Sequence, residues 1–307
     1  MAPDFRLLMI GAMYENGGNT THRFLDGHPQ MFVYPFESQI GTRHVQDHLT
    51  SMFPVKYRWP EFALGASPAE DFRAIIDEEG KVRARTPKVS KFRHVEFDLD
   101  DDERGAIYAE RVAGRGRSRA GNVAAFFEAT FQAWKNHRAT GAEQVYVGYS
   151  PIIGVDGAKI LEDMPGAHVL HVVRNPWSAY ADTKKRAVPL SLDHYMLGWT
   201  LNQYYALLLR ERYPDRFHVV RAEDVMADPT KALGEVCQRL GLEVSDTLAV
   251  PSWNGEALEQ VYPWGTIRVP TPEANAATAR ELSRQEQEAI RQRCWQYIDV
   301  FDYVDFP

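Results

Sequence analysis

Residues 5–34 read FRLLMIGAMYENGGNTTHRFLDGHPQMFVY, and this stretch decides the fold class. Residues 5–11 form a short apolar run that ends in glycine, which predicts a buried first strand. The turn-rich residues 15–21 follow, and residues 22–25 predict a short helix, because a glycine and a proline come soon after it. Residues 31–34 return to an extended pattern. Strand, glycine loop, helix and strand in this order predict a βαβ opening.

The same alternation continues along the rest of the chain. Short apolar runs predict further buried strands at 144–148, 167–173 and 217–220. Apolar residues at helical spacing and helix-ending residues predict helices at 122–138, 159–163, 194–212, 229–240 and 283–297. Strands that alternate with helices predict an α/β fold with a mostly parallel central sheet flanked by helices.

Residues 50–121 differ from this pattern, because they are polar, irregular and interrupted by prolines. We interpret them as a large insertion within a single domain of residues 1–307. Residues 81–93 contain six lysines and arginines, and three further arginines alternate with small residues at 115–119. Two interpretations remain open for this basic segment: a solvated surface, or a mobile lid that binds an anionic ligand.

The composition is that of a globular protein, since 44% of the 307 residues are hydrophobic and 25% are charged. The apolar run 7–10 is too short for a signal peptide or a membrane span. The two isolated cysteines, Cys237 and Cys294, fit a reducing compartment, so we expect a cytoplasmic protein. The net charge of −7 disfavours nucleic acid as a partner. A homodimer is the expected oligomer, because dimers are the commonest.

The loop between the first strand and the first helix has the composition of an anion site. Glycines let the backbone approach a phosphate, and a helix N-terminus presents free N–H groups and the positive end of its dipole. The candidate binding residues are Asn16, Gly17, Gly18, Asn19, Thr20 and Thr21. The alternative is an ordinary glycine–threonine turn. No Gly-Lys-Ser/Thr follows, so the loop is not a Walker A sequence.

Arg174 directly follows the apolar strand 167–173 and precedes Asn175 and Pro176. A residue at the carboxyl end of a parallel strand lies at the crevice where α/β proteins bind ligands. The planar guanidinium group suits a phosphate. The alternative is an arginine that pairs with a carboxylate or caps the edge of the sheet.

Several motifs together resemble those of PAPS-dependent sulfotransferases, where PAPS is 3′-phosphoadenosine 5′-phosphosulfate. Residues 11–31 resemble the first motif, in which a glycine–threonine loop opens a helix that ends in Leu-Asp-x-His-Pro, here LDGHP. Residues 168–186, HVLHVVRNPWSAYADTKKR, are similar to the second motif. Residues 217–229, FHVVRAEDVMADP, resemble a later strand with its acidic tail. The resemblance extends over 5–38 and 146–303 and implies a P-loop-like sulfotransferase fold.

The resemblance also implies which residues bind PAPS as co-substrate. The loop 16–21 would hold the 5′-phosphosulfate, and Arg174 would grip the 3′-phosphate. A serine that normally helps Arg174 falls near Asp182 and Thr183, so Thr183 is a substitute, whereas Asp182 would be unfavourable beside a phosphate. A late loop would cover the adenine and the 3′-phosphate with Thr266, Ile267 and Arg268.

Glu37 is the candidate catalytic base, because some sulfotransferases carry a glutamate at about this distance after the first motif. A positioned carboxylate can take the proton of an acceptor hydroxyl. The alternative is a loop carboxylate paired with Arg43. His44 is the runner-up catalytic residue, followed by His48.

Two departures from the family pattern remove positive charge. Glu15, Asn16 and Gly17 stand where the family has an arginine or lysine, and Tyr149 stands where many members have a lysine. We expect another cation to substitute. The candidates from the basic segment are Lys88, Lys91, Arg115 and Arg117.

Three functions remain open at this point. The leading one is transfer of a sulfuryl group from PAPS to a hydroxyl of a small-molecule or glycan acceptor. The second is a catalytically impaired relative that serves as a nucleotide- or anion-binding module. The third is another P-loop enzyme such as a kinase, which the missing Gly-Lys-Ser/Thr disfavours. No His, Cys and carboxylate group has metal-ligand spacing, so no metal is expected.

Overall fold

The first strand, β1 (Leu7–Ala12), is buried along its whole length, as an apolar run at the centre of a parallel sheet requires. The structure is a computed structural model that describes residues 5–90, 92–258 and 271–307. The other sheet strands are β2 (Met31–Val33), β3 (Val145–Tyr149), β4 (Ala167–Val173) and β5 (Phe217–Arg221). Their order is β2-β3-β1-β4-β5, and every neighbouring pair is parallel. The predicted mostly parallel sheet is therefore confirmed.

The register brings the carboxyl ends of the central strands together. In β1, Ile10 pairs with Tyr149, the last residue of β3, and Ala12 pairs with Val172 near the end of β4. Loops that follow β1, β3 and β4 therefore open on the same edge of the sheet.

Helices cover both faces of this sheet. They are α1 (Gly18–Leu25), α2 (Pro68–Ala74), α3 (Glu78–Arg85), α4 (Asp101–Arg115), α5 (Arg119–Ala133), α6 (Gly157–Asp163), α7 (Pro176–Lys184), α8 (Leu192–Arg212), α9 (Ala222–Ala227), α10 (Pro229–Arg239), α11 (Pro272–Ala279) and α12 (Arg284–Ile298). A short antiparallel hairpin joins β6 (Ser252–Trp253) to β7 (Glu256–Ala257).

Alternate residues of β1 enter different cores, because successive side chains of a strand point to opposite faces. Leu7 and Met9 pack in a core that includes Phe126 of α5. Leu8 and Ile10 pack in a second core with side chains of α1 and α10, among them Phe24. A third core lies between α7, α8 and α12.

Helix α1 begins four residues before the predicted start at residue 22. Gly17 precedes it with a φ of 83°, in the left-handed region that glycine adopts without strain. The glycines and threonines that read as a turn in the sequence are therefore the capping residue and the first helical turn.

Residues 50–121 are more regular than the sequence predicts, since they contain α2, α3 and α4. Tyr108 and Val112 of α4 are fully buried and share a core with α5. Two of the arginines proposed as substitute cations are paired within or beside this segment. Arg115 lies 2.7 Å from Glu128, and Arg117 lies 2.6 Å from Asp71. The single domain and the lid stay predictions.

Candidate functional site

A cavity of about 500 Å³ opens at the carboxyl edge of the sheet, where the loops after β1, β3 and β4 meet. Its lining includes the loop after β1, the last residue of β3 and the arginine that follows β4. The lining residues are Tyr14, Glu15, Asn16, Gly17, Gly18, Asn19, Thr20, Glu37, Tyr57, Tyr149, Pro151, Arg174, Asp182, Arg186, Met226, Thr271, Ala274, Asn275 and Thr278. The register of the parallel sheet thus brings together residues far apart in the sequence.

The N-terminus of α1 faces this cavity with Gly18, Asn19 and Thr20. The first N–H groups of a helix have no acceptor within the helix, and the helix dipole favours an anion there. Gly18 is required by space, since a Cβ at this position would lie 2.5 Å from Cε2 of Tyr149. Thr21 is buried and does not line the cavity, and its Oγ1 has no hydrogen-bond partner.

Asn16 connects the loop after β1 to the end of β4 through hydrogen bonds. Its Oδ1 accepts hydrogen bonds from the backbone N–H of Arg174 at 3.0 Å and from Nε1 of Trp199 at 3.1 Å. Its Nδ2 donates to the backbone oxygen of Tyr14 and to the hydroxyl of Tyr195. Both ends of the buried amide are therefore engaged, and Asn16 positions the loop.

Arg174 is 8% exposed and is held by three acceptors. Nε donates to Oδ1 of Asn275 at 2.7 Å, and Nη1 donates to the backbone oxygen of Glu15 at 2.9 Å. Nη1 also donates to Oδ2 of Asp182 at 2.8 Å. The side chain is thus held at the wall of the cavity, in an ion pair with a carboxylate.

Asp182 and Thr183, the two residues at the position where the family has a serine, point in different directions. Asp182 lines the cavity, whereas Thr183 is fully buried and its Oγ1 donates to the backbone oxygen of Ala179 at 2.8 Å. The carboxylate, and not the threonine hydroxyl, is therefore the group beside Arg174.

Glu37 reaches the cavity from the segment that follows β2. The next residue, Ser38, donates from both its backbone N–H and its Oγ to the backbone oxygen of Tyr149. These bonds hold Glu37 beside the end of β3. The half-buried carboxylate accepts a hydrogen bond from Nε2 of Gln39 at 3.0 Å.

Three tyrosines, Tyr14, Tyr57 and Tyr149, line the cavity with Glu37. Burial raises the pKa of Tyr14 to about 12, and the charge of Glu37 adds to this. Burial and Glu37 also raise the pKa of Tyr57 and of Tyr149. These hydroxyls are therefore protonated at neutral pH and do not act as bases in their resting state.

The family model for sulfotransferases matches residues 9–246, which include the loop after β1, Glu37, Arg174 and Asp182. The chain belongs to the sulfotransferase family. Membership supports sulfuryl transfer as its general chemistry. The search among curated proteins finds no match.

One solved structure shows the same fold, and two others are similar. The sulfotransferase domain of the Synechococcus PCC 7002 olefin synthase is 19% identical, with a TM-score of 0.52, and the match covers 100% of this chain and 99% of that one. The sulfotransferase domain from the curacin biosynthetic pathway is 13% identical over 95% of this chain and 98% of that one, with a TM-score of 0.46. Sulfotransferase STF9 from Mycobacterium avium is 14% identical over 100% and 78%, with a TM-score of 0.47.

His44 lies apart from this cavity. It is exposed and lines a separate surface cavity with Asp47, Glu61 and Lys159. The structure therefore brings Glu37, but not His44, next to the loop and Arg174.

Asn275 orients the site and was not predicted from the sequence. Asn275 of α11 binds Nε of Arg174 and donates from Nδ2 to Oε1 of Glu223. The same Oε1 accepts bonds from the backbone and side chain of Asn175. Glu223 thus orients the backbone that follows Arg174, and no signal in the sequence indicated that α11 returns to Arg174.

Arg186 and Glu15 also line the cavity, and neither was predicted as a ligand. Arg186 follows α7, and its guanidinium group lies 4.9 Å from the centre of the Tyr14 ring. Its Nη1 is 3.8 Å from Oε1 of Glu15. The cavity therefore contains a second cation besides Arg174.

The predicted ligands Thr266, Ile267 and Arg268, and the candidate cation Lys91, lie outside the described residues. Within residues 5–90, 92–258 and 271–307, no helix is long and apolar enough to cross a membrane. The same residues contain no cluster of three or more His, Cys, Asp and Glu side chains that would hold a metal ion.

Proposed function

We propose that the protein transfers a sulfuryl group from PAPS to a hydroxyl group of a small-molecule or glycan acceptor. One observation carries this proposal: a single cavity contains the N-terminus of α1, the Arg174 guanidinium and the Glu37 carboxylate. These are an anion site, a phosphate-binding cation and a candidate base. The cytoplasmic location and the homodimer remain predictions.

The described residues suit the two anionic ends of PAPS. The N-terminus and dipole of α1 suit the 5′-phosphosulfate, which would lie against Gly17, Gly18, Asn19 and Thr20. Arg174 suits the 3′-phosphate, because its planar guanidinium group binds phosphate oxygens. A 3′-phosphate there must displace or share the hydrogen bond that Asp182 now accepts.

The reaction requires a base on the acceptor side of the sulfur atom. The acceptor oxygen attacks sulfur, the bond from sulfur to the bridging oxygen breaks, and its electron pair stays on the 5′-phosphate. The proton of the acceptor hydroxyl passes to Glu37, which lies among tyrosines that keep their own protons. The products are the sulfated acceptor and 3′-phosphoadenosine 5′-phosphate, abbreviated PAP.

The tyrosines beside Glu37 favour an acceptor with a flat, partly apolar face. The rings of Tyr14 and Tyr57 lie 6.1 Å apart at an angle of 66°. Such rings pack against the apolar face of a sugar or against an aromatic ring, while their hydroxyl groups bind polar substituents.

The test is a calorimetric titration of wild type and Arg174→Ala with PAP, followed by conversion of PAPS to PAP with a panel of hydroxyl acceptors. We expect micromolar binding by wild type that is lost in the variant. Thermal unfolding of both proteins controls for misfolding, because Arg174 also binds Asn275 and the Glu15 backbone. Arg174→Lys provides a second variant that keeps the positive charge.

The outcomes separate the alternatives. Wild type that does not bind PAP even at millimolar concentration would exclude PAPS as the donor. Binding of PAP without turnover of PAPS by any acceptor would favour the impaired, nucleotide-binding relative, which the comparisons do not favour.

A further inference from the structure

Two cations line the cavity within the described part of the chain, and they differ in solvent exposure and in the number of hydrogen bonds that hold them. Arg174 is 8% exposed and donates to Asn275, Glu15 and Asp182. The Arg186 side chain is 40% exposed. Arg174 is thus fixed in the wall of the cavity, whereas Arg186 has room to move.

Among residues 5–90, 92–258 and 271–307, the ionic partner of Arg186 at the cavity wall is Glu15, and the two groups lie far apart for an ion pair. Its closest approach to the Glu15 carboxylate is 3.8 Å, near the upper limit for an ion pair, and the Glu15 side chain is also 40% exposed. Exposed pairs of this kind contribute little to stability, so the guanidinium group can turn toward a stronger anion at small cost. The Tyr14 ring, 4.9 Å away, supports the guanidinium group during such a movement.

The neighbours of Arg186 are also the neighbours of Glu37. Burial raises the pKa of both Tyr14 and Tyr57; the negative charge of Glu37 adds to this rise, and the positive charge of Arg186 opposes it. The guanidinium group and the carboxylate therefore act on the same part of the cavity. This part adjoins the loop after β1, because Tyr14 and Glu15 belong to that loop.

The charged side chains that line the cavity are the groups that an anionic ligand contacts. Among the described residues of the lining, Glu15, Glu37 and Asp182 are acidic, and Arg174 and Arg186 are basic. A group that is transferred with negative charge on its oxygens needs a donor aimed at it, and such donors contribute most where water is excluded. Arg174 is fixed by three hydrogen bonds and is assigned to the 3′-phosphate, so Arg186 is the remaining cation among the described lining residues.

We propose that Arg186 is a catalytic residue that binds the oxygens of the sulfuryl group during its transfer to the acceptor. The inference rests on the proposed function. It assigns a cation that replaces the positive charges that the family has in the loop after β1 and at the position of Tyr149. Glu15 and Tyr14 hold Arg186 at the cavity mouth before the donor binds. When the phosphosulfate enters, Arg186 leaves Glu15 and neutralises charge on the sulfuryl oxygens as the bond to the bridging oxygen breaks.

The experiment compares two ligands that differ by the sulfuryl group. Affinities for PAPS and for PAP are measured by calorimetry for wild type, Arg186→Ala and Arg186→Lys. We expect Arg186→Ala to weaken PAPS binding by roughly tenfold, while PAP binding changes much less. Because the acceptor is not needed, this comparison is independent of the identity of the acceptor.

Turnover provides a second readout. Loss of one such donor lowers kcat by roughly 10²–10³-fold in other enzymes, so we expect a decrease of this size in Arg186→Ala. Arg186→Lys is expected to retain part of the activity, and added guanidinium ions are expected to rescue Arg186→Ala. A residue that only supports the fold would show no such rescue.

Lys184→Ala is the matched control, because it removes a positive charge two residues away. Lys184 lies outside the cavity lining and pairs with Glu286 at 2.7 Å. We expect wild-type affinity for both nucleotides and wild-type turnover. This control separates contact with the sulfuryl group from a general loss of positive charge.

Each outcome distinguishes the two proposals. Wild type that binds neither nucleotide overturns the proposed function and the role of Arg186 with it. Wild type that binds and converts PAPS, with Arg186→Ala weakening PAPS and PAP equally or not at all, overturns the role of Arg186 alone.

Discussion

Asp182 accepts a hydrogen bond from Arg174, with 2.8 Å between Oδ2 and Nη1, and both side chains line the same cavity. Arg174 lies just before α7 in the sequence, and Asp182 lies within that helix. A phosphate that binds Arg174 must therefore compete with a carboxylate that is already in place. Lys185 also binds Asp182, at 3.0 Å, and strengthens its hold on this position.

Asp182→Ser is expected to increase affinity for PAP. The substitution removes a negative charge beside the 3′-phosphate and frees one donor of Arg174. Partly exposed pairs of this type contribute about 1 kcal/mol, so we expect the Kd for PAP to fall by roughly fivefold. Calorimetric titration of wild type and variant measures the change.

Adenosine 5′-monophosphate is the control ligand for this substitution, since it lacks the 3′-phosphate. Its affinity is expected to stay nearly constant, and Asp182→Glu is expected to keep the wild-type affinity for PAP. An unchanged Kd for PAP in Asp182→Ser would show that the carboxylate does not compete with the ligand at Arg174.

The sequence located this part of the site to within one residue. The geometry of α7 determines which of the two neighbouring side chains faces the cavity. Neighbouring residues of an α-helix point about 100° apart, so Asp182 and Thr183 do not both face the cavity. Thr183 turns inward and bonds to Ala179, whereas Asp182 faces Arg174. Arg186 was not predicted as a ligand for a related reason, since its position beside Tyr14 depends on where α7 ends.

Glu37→Gln tests the proposed base. The amide keeps the size of the side chain but cannot accept the acceptor proton, so turnover of PAPS is expected to fall by roughly 10²–10⁴-fold. Affinity for PAP is expected to remain nearly unchanged, because PAP lacks the group that reacts. Initial rates of PAP formation and calorimetric Kd values are the two measurements.

His44→Gln distinguishes Glu37 from the second candidate base. His44 is exposed beside Asp47 in a separate cavity, so its loss is expected to leave turnover unchanged. If His44→Gln lost activity and Glu37→Gln kept it, the base would have been assigned to the wrong residue.

Gly18→Ala tests the close packing at the start of α1. The added Cβ would lie 2.5 Å from Cε2 of Tyr149 and 2.8 Å from Cβ of Ala12 in β1, so α1 must move away from β1 and the Tyr149 ring. Overpacking of this kind costs about 1–3 kcal/mol of unfolding free energy. Chemical denaturation is expected to show this loss, and PAP affinity should fall because the first turn of α1 moves.

Gly114→Ala is the matched control in α4. A Cβ at Gly114 meets no atom within 4 Å, and alanine favours helix more than glycine does by about 0.8–1 kcal/mol. We therefore expect a neutral or stabilising effect with unchanged PAP affinity. Equal stability of Gly18→Ala and wild type would contradict the packing at Tyr149.

Much of the sheet was predictable because its strands are short apolar runs bounded by glycine or proline. The helices of residues 50–121 were not, and α4 shows the reason. Its buried side chains are Arg104, Tyr108 and Val112, which lie on one face at a spacing of four residues. Arg104 pairs with the buried Asp77 at 2.7 Å, so a charged residue occupies a position where an apolar one would indicate an amphipathic helix.

The pair of His168 and His218 predicts how stability depends on pH. Nδ1 of His168 lies 3.0 Å from Nε2 of His218, and the rings stack on neighbouring strands β4 and β5. Burial lowers the pKa of each residue to about 4, and Arg216 and Arg6 add to this for His168. In an unfolded chain the pKa of histidine is about 6.5.

The folded protein therefore holds both histidines neutral at pH values where the unfolded chain already binds protons. The unfolding free energy is expected to decrease as the pH falls from about 6.5 toward about 4. Urea denaturation of wild type and of the double variant His168→Gln, His218→Gln at pH 7 and pH 5 measures this. The double variant is expected to lose less stability between the two pH values, because it lacks two of the groups that titrate. Equal losses would mean that the pair is not held neutral in the fold.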